Sequence, residues 1–568
     1  MIKLIIEVKF EGLNGIKKGK ITKVYKNPGD DINPKDSLLA IEANKKTGEL
    51  CIDAKGIIKE IKVKPGDVIK IGDTIAIVEG EKVQSKKPEP SFDYFKGFMK
   101  PKKEEIETKV TIIGSGPGGY VAAIKLAQLG AEVVLVEKDS IGGTCLNRGC
   151  IPTKALVKSA DVFKNIKESE DYGCQVENYN LDIGKVISRK NQIISQLGEG
   201  ISHLLEKNNV KYVKGFGEIL DKNTVLAKTK YTETTIKTEY IIIATGSTTS
   251  KLPIPGIELE NVLESTEILE IDRLPEEMVI IGGGVIGMEF AFIFNSFGTK
   301  VSIVEFMDRL LPNLDEDVSL EIRDIAESRG ISVYTSSKVE KILQDENNKC
   351  IVAFTNNNEK KYLTTEKVLV SIGRQPYLEN LGLEKLGIEL NDDNKGIKVN
   401  KKMMTNIPNI FAIGDATGAM QLAHIASAQG IVAANNIMGI EDIMDYNIVP
   451  SAIFTDPEIA SVGIDEKYAI DNNIEIEIGM FPMASNGKAL TLGVSEGFVK
   501  IIVDKSSKEI LGASIVGPNA TDLINEISIA MTNKLKVEDI TKTIHPHPTT
   551  SESIFEALLA SEGACIHN

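Results

Sequence analysis

Twice in this 568-residue chain a run of β-branched residues leads into a glycine-rich turn, an apolar helical stretch and a second β-branched run ending on glutamate. The first copy, VTIIGSGPGGYVAAIKLAQLGAEVVLVEK, carries Gly114, Gly116 and Gly119 and closes on Glu137. The second, MVIIGGGVIGMEFAFIFNSFGTKVSIVEF, carries Gly282, Gly284 and Gly287 and closes on Glu305. In both, the acid follows the third glycine by 18 residues. Each copy predicts a strand–helix–strand unit whose glycines admit a pyrophosphate to a helix N-terminus, where N–H groups and the helix dipole stabilise its charge. The acid is placed to accept ribose hydroxyls. At the second site Glu305 would repel a 2′-phosphate, which selects NAD over NADP; Arg309, past the strand end, reads as a solvated side chain.

A chain of this length exceeds one hydrophobic core and predicts several domains. The 42% apolar and 26% charged composition is that of a globular protein, and no apolar run approaches the roughly 18 residues of a membrane span. A net charge of −15 argues against a general nucleic-acid or anionic-membrane surface. Met1 to Gly12 lacks the basic region and apolar stretch of a signal peptide, so a cytoplasmic location is expected. Six scattered cysteines do not form a secreted disulfide framework, so any disulfide is expected to be chemical.

Two of them, Cys145 and Cys150, lie in GGTCLNRGCIPTK between the nucleotide motifs. An undistorted helix holds positions five apart too far for a disulfide, whose Cα atoms must be under about 7 Å apart. The segment must therefore bend, and Gly143 and Gly149 allow it. Near the C-terminus, HPHPTTSE places His547 five residues before Glu552.

The first eighty residues contain a different repeat. At an offset of 37, GKITKVYKNPGDDINPKDSLLAIE from Gly19 aligns with GIIKEIKVKPGDVIKIGDTIAIVE from Gly56. Each half reads as short strands joined by a Pro-Gly-Asp turn, and two such halves should pack as a small β-sandwich with quasi-twofold symmetry. EANKKTGEL, with Lys45 and Lys46, falls at the join. Residues 81–107 read as a flexible linker of roughly 30 Å r.m.s. span, in which SFDYFKGFMK could be a short packing anchor.

Residues 1–80 resemble the lipoyl and biotinyl carrier domains, where a lysine between two similar halves bears the cofactor on an amide bond. Lys45 matches that lysine, with Lys46 as the alternative; Asn44 and Lys46 stand where lipoyl domains often have Asp and Ala and biotinyl domains have Met. GGTCLNRGCIPTK is close to the active-site stretch of the flavin-dependent pyridine nucleotide-disulfide oxidoreductases, and its Leu146, Asn147 and Cys150-Ile151-Pro152 resemble the dihydrolipoamide dehydrogenase branch. IIIATGS, VSIGRQP, FAIGDATG and QLAHIASAQG follow in that family's order, so the resemblance spans about residues 108–568.

The resemblance implies a homodimeric oxidoreductase that passes electrons from a protein-bound dihydrolipoyl group through the cysteine pair and FAD to NAD, within a 2-oxo acid or acetoin dehydrogenase complex. Cys145 would be the interchange thiol and Cys150 the thiolate against the flavin. His547, held by Glu552, would be the acid-base group reaching the partner subunit's disulfide. The FAD side would comprise Gly114, Gly116, Gly119, Glu137, Lys154, Gly217, Gly246, Asp415 and Ala423. The NAD side would comprise Gly282, Gly284, Gly287, Glu289, Glu305 and Gly373, with Lys154 and Glu289 paired near the flavin nitrogen. Lys45 would then carry lipoate, reacting with its own chain, a neighbouring subunit or other components of the complex.

The alternative in the same fold is another disulfide or mercuric reductase with a biotinyl-like front domain. Against it, Cys565 stands alone at the C-terminus and the front domain has only Cys51. A carrier whose flavoprotein half is a mere scaffold would lack the cysteines or His547. The expected architecture is multidomain α/β and α+β: a lipoyl β-sandwich (1–80), the linker (81–107), an FAD domain in two parts (108–251 and 375–446) around an NAD domain (252–374), and a C-terminal α+β dimerisation domain (447–568).

Overall fold

In the computed structural model, which describes residues 4–10, 18–32, 37–43, 46–51, 54–82 and 101–567, the internal repeat reappears as a buried core. Ile21, Ile32, Leu38, Leu39 and Ile41 are all buried, and so are their counterparts 37 positions on, Ile58, Ile69, Ile75, Ala76 and Val78. Phe10 completes the cluster. The turns match as well. Asp30 and Asp67 each accept the N–H three residues back, from Asn27 at 2.8 Å and Lys64 at 2.9 Å. The following contacts are reciprocal: Gly29 N–H donates to Ile58 O at 2.7 Å and Gly66 N–H to Ile21 O at 2.8 Å. Both glycines have φ near +100°, which only glycine adopts without strain.

These reciprocal bonds show that the halves interleave rather than pack as two separate layers. The short strand Asp31–Ile32 pairs with Ala54–Ile61, and Val68–Lys70 pairs with Lys18–Val24, so each half completes a sheet of the other. The result is two four-stranded antiparallel sheets. Strands Ser37–Ala43 and Lys46–Cys51 pair up to the register Ala43 with Lys46. Asn44 and Lys45 fall in sequence between them and lie outside the described residues, as does the SFDYFKGFMK stretch.

The chain separates into two units, Met1–Met99 and Lys100–Asn568. In the second, the first sheet is built on Lys102–Ile113 and its parallel neighbours Val133–Glu137 and Thr232–Ile243. This corrects the linker boundary. Residues 102–107 are strand, paired in parallel with Thr232 to Lys237. The stretch KKEEIE has one apolar residue and no visible alternation, so it reads as tether; the ladder and charge pairs such as Lys237–Glu105 at 2.7 Å hold it instead. At the other end, strand Thr74–Lys82 runs two residues past the expected boundary.

The second nucleotide motif lies in a five-stranded parallel sheet, in the order Val262–Glu264, Lys367–Val370, Glu277–Ile281, Lys300–Val304 and Ser332–Tyr334. These strands are apolar on both faces because one face packs on helices Val285–Phe297 and Glu316–Ser328 and the other on the antiparallel sheet Ser337–Gln344, Cys350–Asn356 and Glu359–Thr365, so the sheet is covered on both sides. The C-terminal part is a five-stranded antiparallel sheet carrying helices Ala520–Thr532 and Glu552–Ser561. Among the described residues, no helix is long and apolar enough to cross a membrane.

Charge ties the second unit together. Helix Glu316–Ser328 of the second nucleotide region is fixed at both ends to the C-terminal sheet. At its start, Lys500, 1% exposed, lies within 3.0 Å of Asp315, 2.6 Å of Asp317 and 2.5 Å of Glu466. Burial works against the Lys500 ammonium, but the three carboxylates hold it well above the ordinary lysine range. At its end, Arg329 donates to Asp456 at 2.6 Å and Glu496 at 2.7 Å. Asp456 also accepts from Lys164 at 2.6 Å, and Lys164 lies on the helix that begins at Cys150.

Candidate active site

The two glycine motifs fold alike. Gly114 and Gly282 have φ of +105° and +108°, and a Cβ on Gly119 or Gly287 would stand 1.9 or 2.0 Å from the carbonyl oxygen of Gly114 or Gly282. The third glycine is thus required by helix–strand packing. A Cβ on Gly116 or Gly284 would meet nothing within 4 Å, leaving room for a group to approach each helix N-terminus. Both acids are locked by main-chain donors. Glu137 accepts the N–H of Ser115 at 2.8 Å and of Asp139 at 2.7 Å; Glu305 accepts those of Gly283 at 2.5 Å and Met307 at 2.6 Å. Arg309, expected to be solvated, is part-buried and donates to Pro312 O at 3.1 Å.

Between the motifs, Cys145 sits in helix Gly143–Arg148 and Cys150 opens helix Cys150–Lys167. The break is Gly149, with φ −142° and ψ −113°, and it is this bend that brings two thiols five residues apart into hydrogen-bond contact. Gly143 is packed against the first cradle, since a Cβ there would lie 2.6 Å from Gly116 Cα. Both cysteines are free thiols and half-buried. Their chemistry is split: Cys150 is pulled down to about 7, chiefly by the hydrogen bond from Cys145 and then by the Lys154 ammonium against the cost of burial. Cys145 is pushed far up by that same hydrogen bond, by burial and by the Cys150 charge. Of the pair, Cys150 is thus the one favoured as thiolate while Cys145 keeps its proton.

Lys154, one turn after Cys150, donates to both oxygens of Glu289 at 2.8 and 2.9 Å. Both face one cavity of about 1780 Å³. Its lining brings together Gly114, Gly116, Gly119, Glu137, Cys145, Cys150, Gly217, Gly246, Asp415, Ala423, Gly282, Gly284, Glu305 and Gly373. Gly287 lies behind this wall, packed on Gly282. Two expected residues are elsewhere. His547 and Glu552 do not line the cavity; His547 is 79% exposed, with Nδ1 2.9 Å from Glu552 Oε1. Burial works against the Glu552 carboxylate, but the Thr549 N–H and His547 hold it below the ordinary range. His545 is instead buried, with Nε2 2.9 Å from Glu526.

Sequence reasoning missed the contacts that brace this wall. Arg374 donates through Nε to Ser247 Oγ at 2.8 Å, and that hydroxyl donates in turn to Asp415 at 2.5 Å. Phe454 places its ring under Lys154. Neither follows from a local pattern, because the partners are 127 to 300 residues apart.

Residues 108–430 match the family described as pyridine nucleotide-disulphide oxidoreductase, and 449–558 match its dimerisation domain. The chain belongs to this family. As a pyridine nucleotide-disulphide oxidoreductase it is an enzyme, and its dimerisation domain supports a homodimer. Residues 14–86 match the biotin/lipoyl family described as biotin-requiring enzyme. A dihydrolipoyl dehydrogenase of Bacillus subtilis (strain 168) is 39% identical over 472 residues, covering 81% of this chain and 99% of the relative. One of Geobacillus stearothermophilus is 40% identical over 464 residues, covering 81% and 98%. Among solved structures, the HOCl-induced flavoprotein disulfide reductase RclA from Escherichia coli, as its Cu(II) complex, superposes with a TM-score of 0.72 at 31% identity, covering 80% of this chain and 99% of that one.

Proposed function

We propose that this enzyme is a dihydrolipoyl dehydrogenase carrying its own lipoyl domain, with lipoate on Lys45. The observation that carries the reading is that Cys145 and Cys150 line the same cavity as both glycine cradles, so a dithiol–disulfide exchange can be joined to two nucleotide-type cofactors. The open approach at Gly116 and Gly284 and the locked acids Glu137 and Glu305 fit FAD at the first cradle and NAD at the second. When bound, these groups supply a two-electron path from thiol to nicotinamide.

The protein's residues perform the thiol steps. A dihydrolipoyl thiol, weakly nucleophilic when protonated, gives its proton to His547 of the partner subunit, oriented through Nδ1 by Glu552. The resulting thiolate attacks Cys145 in the disulfide form, and the Cys145–Cys150 bond breaks with Cys150 leaving as thiolate. The Lys154 ammonium stabilises that leaving charge. The second lipoyl thiol then attacks the substrate sulfur of the mixed disulfide, its proton passing to the leaving Cys145 sulfur, which releases the Cys145 thiol and a closed lipoyl disulfide. Two electrons have passed from the dithiol to the cysteine pair.

In this reading residues 108–251 and 375–446 form the FAD part, 252–374 the NAD part and 447–568 the dimerisation domain. The substrate arrives on this chain's carrier or on that of a dehydrogenase-complex acyltransferase, in the cytoplasm, and a tether raises its effective concentration to about the millimolar range. The decisive experiment is peptide mass spectrometry of Lys45 from native cells with an assay of NAD reduction by free dihydrolipoamide. Lipoyl mass on Lys45 with turnover is expected. Biotin mass, or no turnover, sinks the reading. For nucleotide choice, Glu305→Gln removes the charge and mismatches one of its two main-chain donors. Steady-state assays should show kcat/KM for NAD falling about tenfold and discrimination against NADP narrowing.

A further inference from the structure

Phe454 follows the edge strand Ser451–Ile453 of the C-terminal sheet and reaches the cavity wall. Its backbone N–H donates to Glu289 Oε1 at 3.0 Å, and its ring lies 4.4 Å from Lys154 Nζ. One residue thus holds both members of the Lys154–Glu289 pair, the carboxylate through the main chain and the ammonium through the ring face. The two contacts act differently. The N–H satisfies a lone pair of a carboxylate that is only 4% exposed and fixes its plane. The ring attracts the ammonium by its quadrupole and keeps water from that flank. Two residues further on, Asp456 joins Lys164 to Arg329, so the segment grips the Cys150 helix at its second and fourth turns.

We propose that Phe454 is a positioning residue for the thiol chemistry, fixing the Lys154 ammonium between Glu289 and the Cys150 sulfur. The charged or titratable groups acting on Cys150 are Cys145, Lys154, Glu289 and Arg374. Phe454 touches two of these, one of each sign. Lys154 favours the Cys150 thiolate and Glu289 opposes it. Without the ring, the lysine stem gains rotamers and water, while Glu289 keeps its main-chain donor and stays where it is. The balance at Cys150 then moves against the thiolate.

The proposal rests on Cys145 and Cys150 being the redox pair, and its test separates the two ideas. The two-electron-reduced holoenzyme is titrated by its long-wavelength thiolate–flavin absorbance and by pH-dependent iodoacetamide alkylation mapped to Cys150. In the unchanged protein the transition should lie at about 7. The absence, at every pH, of both a thiolate–flavin absorbance and a Cys150 alkylation transition would overturn the redox pair itself. In Phe454→Leu the midpoint should rise by about half to one pKa unit, and Phe454→Tyr, which keeps the ring face, should restore it. Phe454→Met keeps the volume without the ring and carries the same reading where the Leu variant does not fold. A folded Leu or Met variant with an unmoved midpoint overturns the proposal.

Discussion

Cys145→Ser is expected to lower NAD reduction by dihydrolipoamide by roughly a thousandfold or more, because no disulfide remains for the substrate thiolate to attack. NADH oxidation by an artificial electron acceptor should persist in the same protein, since that half of the reaction uses neither cysteine. The two single variants should also titrate differently. Cys150 in Cys145→Ser keeps Lys154 and a hydroxyl donor, so its alkylation should still rise near neutral pH. In Cys150→Ser the Cys145 thiol loses the neighbour that pushes it up, and its alkylation curve should fall back toward the ordinary thiol range. Equal, unshifted curves for the two cysteines would contradict the division of labour described for the pair.

The second large effect concerns a residue that does not line its own chain's cavity. His547→Gln should reduce kcat for dihydrolipoamide oxidation by about 10² to 10⁴, the usual range for a lost general base. His547 is highly exposed and absent from that lining, and the proposed reaction puts it at the partner subunit's disulfide. Mixing is the sharper measurement. When Cys145→Ser and His547→Gln proteins are dissociated and reassociated together, half of the dimers are hybrids and each hybrid has one intact site. About a quarter of the unmodified activity should therefore return. No recovery in verified hybrids would assign the histidine to its own subunit's site, and full activity of His547→Gln alone would place it outside the reaction.

Much of this site was legible because its chemistry is local in sequence. The glycines, the acids 18 residues later and the bend between Cys145 and Cys150 are patterns within one strand–helix unit, and the structure realises each at its own position. The repeat at 37 residues forecast the buried positions of the first unit almost residue for residue, yet not the interleaving, since alternation says which face is buried but not which strand lies alongside. KKEEIE hid a strand because cross-strand charge pairs, rather than apolar residues, accompany its ladder. Phe454 was invisible for another reason. Its partners are set by the meeting of separate domains, and no spacing in the chain records that meeting.

The clasps at Lys500 and Asp456 bear on how the second unit can move. Each joins the second nucleotide region to the C-terminal part by ion pairs across the contact. Asp456 adds the Cys150 helix to the same knot. Such a joint ties the movement of the second nucleotide region to that of the C-terminal part. A hinge between these two parts would have to break both clasps at once, and the Cys150 helix would be pulled with it.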